Sequence, residues 1–94
     1  MIRVMVTLTV NDDGDVAAVK QLLAEHSELS RAEPGCTRFE SYQSQQVPST
    51  FYICEFWESP QALDVHRGAK GFTEIYQPKI LPLVERRIDM LEVV

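Results

Sequence analysis

The sequence predicts an α+β domain, an antiparallel sheet with helices on one face, and three observations lead there. Ile2, Val4, Val6, Leu8 and Val10 alternate with Arg3, Met5, Thr7 and Thr9, the period of a half-buried strand. Val19, Leu22, Leu23, His26 and Leu29 then recur at helical spacing. Two more strand-like runs, Cys36–Gln43 and Phe51–Trp57, lie a hairpin loop apart before helical spacing resumes. Strand, helix, strand, strand, helical segment, strand is the ferredoxin-like order. The 94 residues hold it as a single domain, residues 1–94.

Each element has a local reason. Asn11 to Asp15 is turn chemistry whose Asp residues suit a helix N-terminus, and the first helix is expected from about Val16 to Ala32. His26 joins its apolar stripe near the edge, as a packed or hydrogen-bonded core residue. Glu33-Pro34-Gly35 ends the helix: Pro fixes one φ and Gly tolerates a positive one. The second strand sets Phe39 and Ser41 on one face and Arg38, Glu40 and Tyr42 on the other. Ser44 to Thr50, with Pro48, forms the hairpin loop. Ser59 can cap the next helix, Pro60 fits its N1 position, and Gly68 stops it. Leu63 and His66 fall three apart and share a face. Phe72, Ile75, Tyr76 and Ile80 continue at helical spacing, and Pro78 and Pro82 break or cap the helix there. Val84–Val94 is the last strand.

The totals exclude several classes. Nine basic against fourteen acidic residues give a net charge of −5 with the acids scattered, which argues against nucleic acid or an anionic membrane as partner. No apolar run approaches the ~18 residues of a membrane span, and the opening residues alternate instead of forming a signal peptide. A cytoplasmic protein is expected. Cys36 and Cys54 occupy different strands with no zinc spacing, so they read as reduced thiols and no metal site is expected. Gly68-Ala69-Lys70-Gly71 has the form of an RNA-clamping loop but lacks basic flanks. No phosphate loop, dinucleotide fingerprint or nucleophile elbow occurs.

The third strand is apolar on both faces, Phe51, Ile53 and Trp57 on one and Tyr52, Cys54 and Phe56 on the other. The helices can cover only one. A second copy laid sheet against sheet would bury the other, so a homodimer is expected.

Glu55 to Tyr76 carries the only Trp and one of the two His, and its local structure would let Trp57, His66, Phe72 and Tyr76 face one cavity. With the opening strand, Glu33-Pro34-Gly35-Cys36, Glu55-Phe56-Trp57-Glu58-Ser59, Ala62-Leu63 and His66, nearly the whole chain resembles the antibiotic-biosynthesis-monooxygenase-type domains of the dimeric α+β barrel superfamily. The resemblance implies a dimeric barrel and a range of activities. These include cofactor-free oxygenation of phenols, quinols and anthrone-like polyketides, haem degradation, and small isomerisations. The quinol-oxidising type commonly has a second His five residues after the first, just before an aromatic or Met. This chain has Gly71 there, followed by Phe72. The haem-degrading branch resembles it through Trp57 but usually has an Asn within the first strand, where this chain offers Thr7 and Thr9, with Asn11 only at the end.

An electron-rich phenolate or carbanion can give dioxygen an electron without flavin or metal, given an apolar pocket, a base and exclusion of water. The expected partners are thus a small hydrophobic aromatic substrate and dioxygen, with no cofactor. Trp57, Phe72, Ile75, Tyr76 and Phe39 could form the walls, His66 the base, and Tyr76, or Arg38 if its strand face turns toward the pocket, the group that binds the substrate oxygen. Each has a structural alternative: Trp57 as a core aromatic, His66 as a helix-end residue, Phe72, Ile75 and Tyr76 as core, and Arg38 with Glu40 as a surface pair. The second functional reading is a non-catalytic dimeric module holding a hydrophobic metabolite.

Overall fold

In the computed structural model, which describes all of residues 1–94, four strands form one antiparallel sheet. They are β1 (Ile2–Val10), β2 (Cys36–Gln43), β3 (Thr50–Trp57) and β4 (Val84–Leu91), in the order β2-β3-β1-β4. This is the ferredoxin-like arrangement. One face carries α1 (Val16–Arg31), α2 (Pro60–Arg67) and a π-helical segment, Gly71–Ile80. No helix is long and apolar enough to cross a membrane.

The register explains where the core lies. Val4, Val6, Leu8 and Val10 of β1 are buried, and Ile53 and Phe51 pair opposite Val6 and Leu8 on the same side. Val19 and Leu23 of α1, Leu63 of α2, and Ile75, Tyr76 and Ile80 of the π segment close over them. Complete burial of a side chain such as Leu8, Leu23 or Ile80 is worth about 1.5–3 kcal/mol, so this one layer holds the helices in place.

Two boundaries differ from the sequence reading. Pro78 does not break the helix. It lies inside Gly71–Ile80, because π winding moves the backbone bond from i−4 to i−5 and relieves the ring's clash with the i−4 carbonyl. Pro82 occupies a 3₁₀ turn, Leu81–Leu83, that delivers the chain into β4. The last strand stops at Leu91 instead of running to Val94. Ile88 and Met90 pair with Val6 and Val4 and so face the helix side, yet they stay exposed because β4 is an edge strand beyond the helical layer.

Gly35 fixes the approach of α2. Its φ is 79°, and a Cβ there would lie 2.5 Å from the Cβ of Ala62, so only glycine allows this contact. The Glu58 N–H donates to the Gly35 carbonyl at 2.8 Å and locks the two segments together. The Glu-Pro-Gly turn and the Ala-Leu helix, far apart in sequence, are therefore neighbours.

Candidate active site

Ser59 caps α2 by accepting from the Ala62 N–H at 3.2 Å, Pro60 begins the first turn, and Gly68 caps the end. This phase turns Leu63 and His66 inward, and His66 is only 2% exposed. The turn held by Gly35 brings Glu33 alongside, with Oε1 at 2.7 Å from His66 Nδ1. That hydrogen bond leaves Nε2 as the free nitrogen. Burial pushes the Glu33 carboxyl up to about 7. Burial, with a smaller contribution from the nearby Arg67 charge, pulls His66 down to about 4. Both shifts disfavour separated charge: below about pH 7 the pair is neutral, with the Glu33 carboxyl donating to Nδ1 and the ring hydrogen on Nε2, whereas above it the Glu33 carboxylate accepts from Nδ1–H and Nε2 is left unprotonated.

His66 sits among aromatic rings. Its centroid lies 4.4 Å from Trp57, 5.6 Å from Phe39 and 5.5 Å from Phe72. A second imidazole, His26 of α1, is 5.7 Å from His66 and stacks on Tyr76 at 4.8 Å. Burial, reinforced by His66, lowers His26 to about 4. A Cβ on Gly71 would come within 3.1 Å of His26 Nδ1. The imidazole from α1 thus takes the space that a side chain at position 71 would need. The position five residues after His66 is glycine, and a histidine from α1 stands beside it.

These groups border a cavity of about 280 Å³ between the helical layer and β1, β3 and β4. Val4, Val6, Leu63, Phe72 and Ile88 give it apolar walls, and His66, His26, Tyr76, Glu55, Arg67 and Arg86 give it polar groups. Glu55 is buried on the inner face of β3 and accepts from Trp57 Nε1 at 2.9 Å. Burial raises its carboxyl above the usual range, opposed by that N–H and by Arg67 and Arg86. Tyr76 is likewise raised by burial, opposed by a hydrogen bond from Arg86 and by its charge, the guanidinium lying 5.8 Å from the ring centroid.

Of the residues nominated from sequence, His66, Phe72 and Tyr76 line this cavity. Trp57, Phe39 and Ile75 are buried behind it, where Trp57 and Phe39 pack against His66 and each other. Arg38 is on the opposite face of the sheet, a correction to its expected place at the substrate. There it pairs with Glu40 at 2.8 Å, bonds Tyr42 Oη at 3.3 Å and lies 5.5 Å from the Phe56 ring. Strand alternation, which sets Arg38 opposite Phe39, is the physical reason. Sequence reasoning missed Glu33, Glu55, Arg67 and Arg86. Glu55 was accessible by parity with Ile53 and Trp57, and Arg86 by parity with Val84 and Ile88. Glu33 carried no such signal, because its position depends on how the turn docks against α2.

Comparison with known proteins agrees with this architecture. The family model for antibiotic biosynthesis monooxygenase matches residues 1–77. A crystal structure of an antibiotic biosynthesis monooxygenase is similar to the chain with a TM-score of 0.91 and 25% identity, covering 100% of this chain and 99% of the other. A candidate antibiotic biosynthesis monooxygenase from Deinococcus radiodurans gives 0.85 and 25%, covering 100% and 93%. A conserved protein from Methanosarcina mazei gives 0.86 and 26%, covering 96% and 89%. No curated protein sequence matches significantly. With the family model spanning most of its length, the chain belongs to the antibiotic biosynthesis monooxygenase family.

Proposed function

We propose that the domain is a cofactor-independent monooxygenase of a small, electron-rich aromatic such as a phenol or quinol. The observation that carries this reading is His66: neutral, almost fully buried, held through Nδ1 by Glu33 and placed at the cavity with Nε2 unprotonated once Glu33 is ionised. In this scheme Nε2 takes the phenolic proton while Nδ1–H donates to the Glu33 carboxylate, which stabilises the imidazolium that forms. The substrate anion then passes one electron to dioxygen, and the two radicals join as a carbon-bound peroxide. Protonation, loss of the ring proton at that carbon and cleavage of the O–O bond leave a second carbonyl and water. Phenol plus dioxygen thus becomes quinone plus water, and the substrate supplies all four electrons. Val4, Val6, Leu63 and Phe72 exclude water from the anion, and Tyr76 is the protein hydroxyl that would donate to its oxygen.

The reading includes a homodimer. On the sheet face without helices, Met5, Tyr52, Cys54 and Phe56 form an apolar strip on the central strands, beside Arg3, Thr7 and Thr9 of β1, while the Arg38–Glu40 and Arg87–Asp89 pairs occupy the edge strands. An apolar centre with a charged rim is the composition of a protein interface. It also places the protein in the cytoplasm, supported by the two unpaired cysteines.

One observation favours the second reading, a module that binds an aromatic without transforming it: a histidine lowered to about 4 is a weak base unless Glu33 is ionised beside it. Turnover of the wild type and of His66→Ala decides between them: saturable binding with no oxygen uptake and no product in the wild type selects the binding module. Loss of the base should lower kcat by about 10²-fold with substrate binding retained, whereas unchanged turnover removes His66 from the chemistry.

A further inference from the structure

The arginines of this chain are not equivalent. Arg38, Arg67 and Arg87 each have an acidic partner within 4 Å, Arg31 donates to the Phe39 carbonyl, and Arg3 lies over the Phe56 ring on the helix-free face. Arg86 has no ion-pair partner, yet the pairing of β4 with β1 sets it opposite Leu8, on the helix side of the sheet. There it borders the cavity beside Tyr76, and Arg67 borders the same cavity. A chain of net charge −5 therefore presents two cations where a ligand would enter.

The remaining groups restrict what fits. At about 280 Å³ the space lies at the small end of the roughly 300–1,000 Å³ usual for ligand pockets, enough for one or two fused rings. Glu55 is the only acidic side chain bordering it, and its burial and bond to Trp57 place it on the inner side. A ligand carboxylate is repelled by Glu55 and drawn toward the exposed guanidinium of Arg86, which meets the Tyr76 hydroxyl and whose charge also reaches Glu55. Arg presents a planar fork of donors that matches a carboxylate in two parallel hydrogen bonds.

We propose that the ligand is a compact hydroxyaromatic acid, its ring between Phe72 and the valines of β1, its carboxylate on Arg86 and its hydroxyl toward His66. This rests on the reading of the cavity as an aromatic-binding site and names the charge its ligand carries. Arg86 is then a specificity-determining residue. It selects an acid over an uncharged ring of the same shape.

The test is calorimetric titration of the wild-type protein with 6-hydroxy-2-naphthoate and with the matching carboxamide, repeated with Arg86→Gln and with Arg87→Gln as the control on the opposite face. Chemical-shift changes at Phe72 and Tyr76 locate the binding. The acid should bind the wild type at least about tenfold more tightly than the amide, as expected for a hydrogen bond to a charged group. The preference should fall to near unity in Arg86→Gln, with amide affinity unchanged, and persist in Arg87→Gln. Equal affinity for acid and amide in the wild type, or a preference that survives Arg86→Gln, overturns the inference and leaves the aromatic cavity standing. No shift at Phe72 or Tyr76 with either ligand overturns both.

Discussion

Glu33 and His66 form the smallest unit on which the chemistry depends. His66 can hold a substrate proton only while Glu33 is ionised, and Glu33 loses its proton near pH 7. Turnover should therefore rise as pH increases through about 7, and Glu33→Gln should flatten that rise and lower kcat by about 10²-fold. A pH profile of the variant parallel to the wild type would remove Glu33 from the mechanism. His26 has a separate signature in stability. Folded, it stays neutral down to about pH 4, whereas a solvated imidazole protonates near 6.5. Between these values the unfolded chain binds the extra proton, so stability falls with pH, by roughly 2 kcal/mol for this group at pH 5. His26→Phe, which keeps the stack on Tyr76, should lose that much less stability between pH 7 and pH 5 in urea titrations. An identical loss in both proteins would refute the assignment. At this scale the sequence revealed His66, Phe72 and Tyr76 through helical spacing. It could not reveal that Glu33 meets His66, since that contact spans 33 positions and depends on docking.

Elements meet in this protein because small residues let them. Gly35 combines a positive φ with a 2.5 Å approach to Ala62, so Gly35→Ala should cost about 1–3 kcal/mol as the turn and α2 are forced apart. It should also lengthen the Glu33–His66 contact. Loss of the pH-dependent rise in turnover, at a temperature where the variant is still folded, checks the second effect. Strand alternation and the Ser59-Pro60 start made β1, β2, β3 and α2 readable in advance. The π-helical segment was not: its apolar spacing reads as ordinary helix, and Pro78 as a stop, because nothing local distinguishes i→i+5 from i→i+4 bonding. That segment carries Phe72 and Tyr76, so the hardest element to read is one of those lining the cavity.

The whole molecule is a single sheet with one covered face. The two-sided apolar character of β3 signalled the bare face, and the structure shows Tyr52, Cys54 and Phe56 on it. Sedimentation of the 10.7 kDa chain at micromolar concentration should give a dimer, and Phe56→Glu should shift it toward monomer. A wild-type monomer would contradict the interface. At this scale the strand order was readable because the sequence of elements allows few topologies. The same alternation decides the place of Arg38, on the face away from the cavity, so the condition for its role at the substrate is not met. Cofactor-free oxygenation, the central claim, is tested most directly by dioxygen uptake. The purified, metal-free protein would be assayed against hydroquinones, naphthols and hydroxyaromatic acids, with His66→Ala and protein-free autoxidation run alongside. Uptake above autoxidation is expected, with one dioxygen consumed per quinone formed and a rate reduced about 10²-fold in His66→Ala. Rates equal to autoxidation across the panel would contradict it.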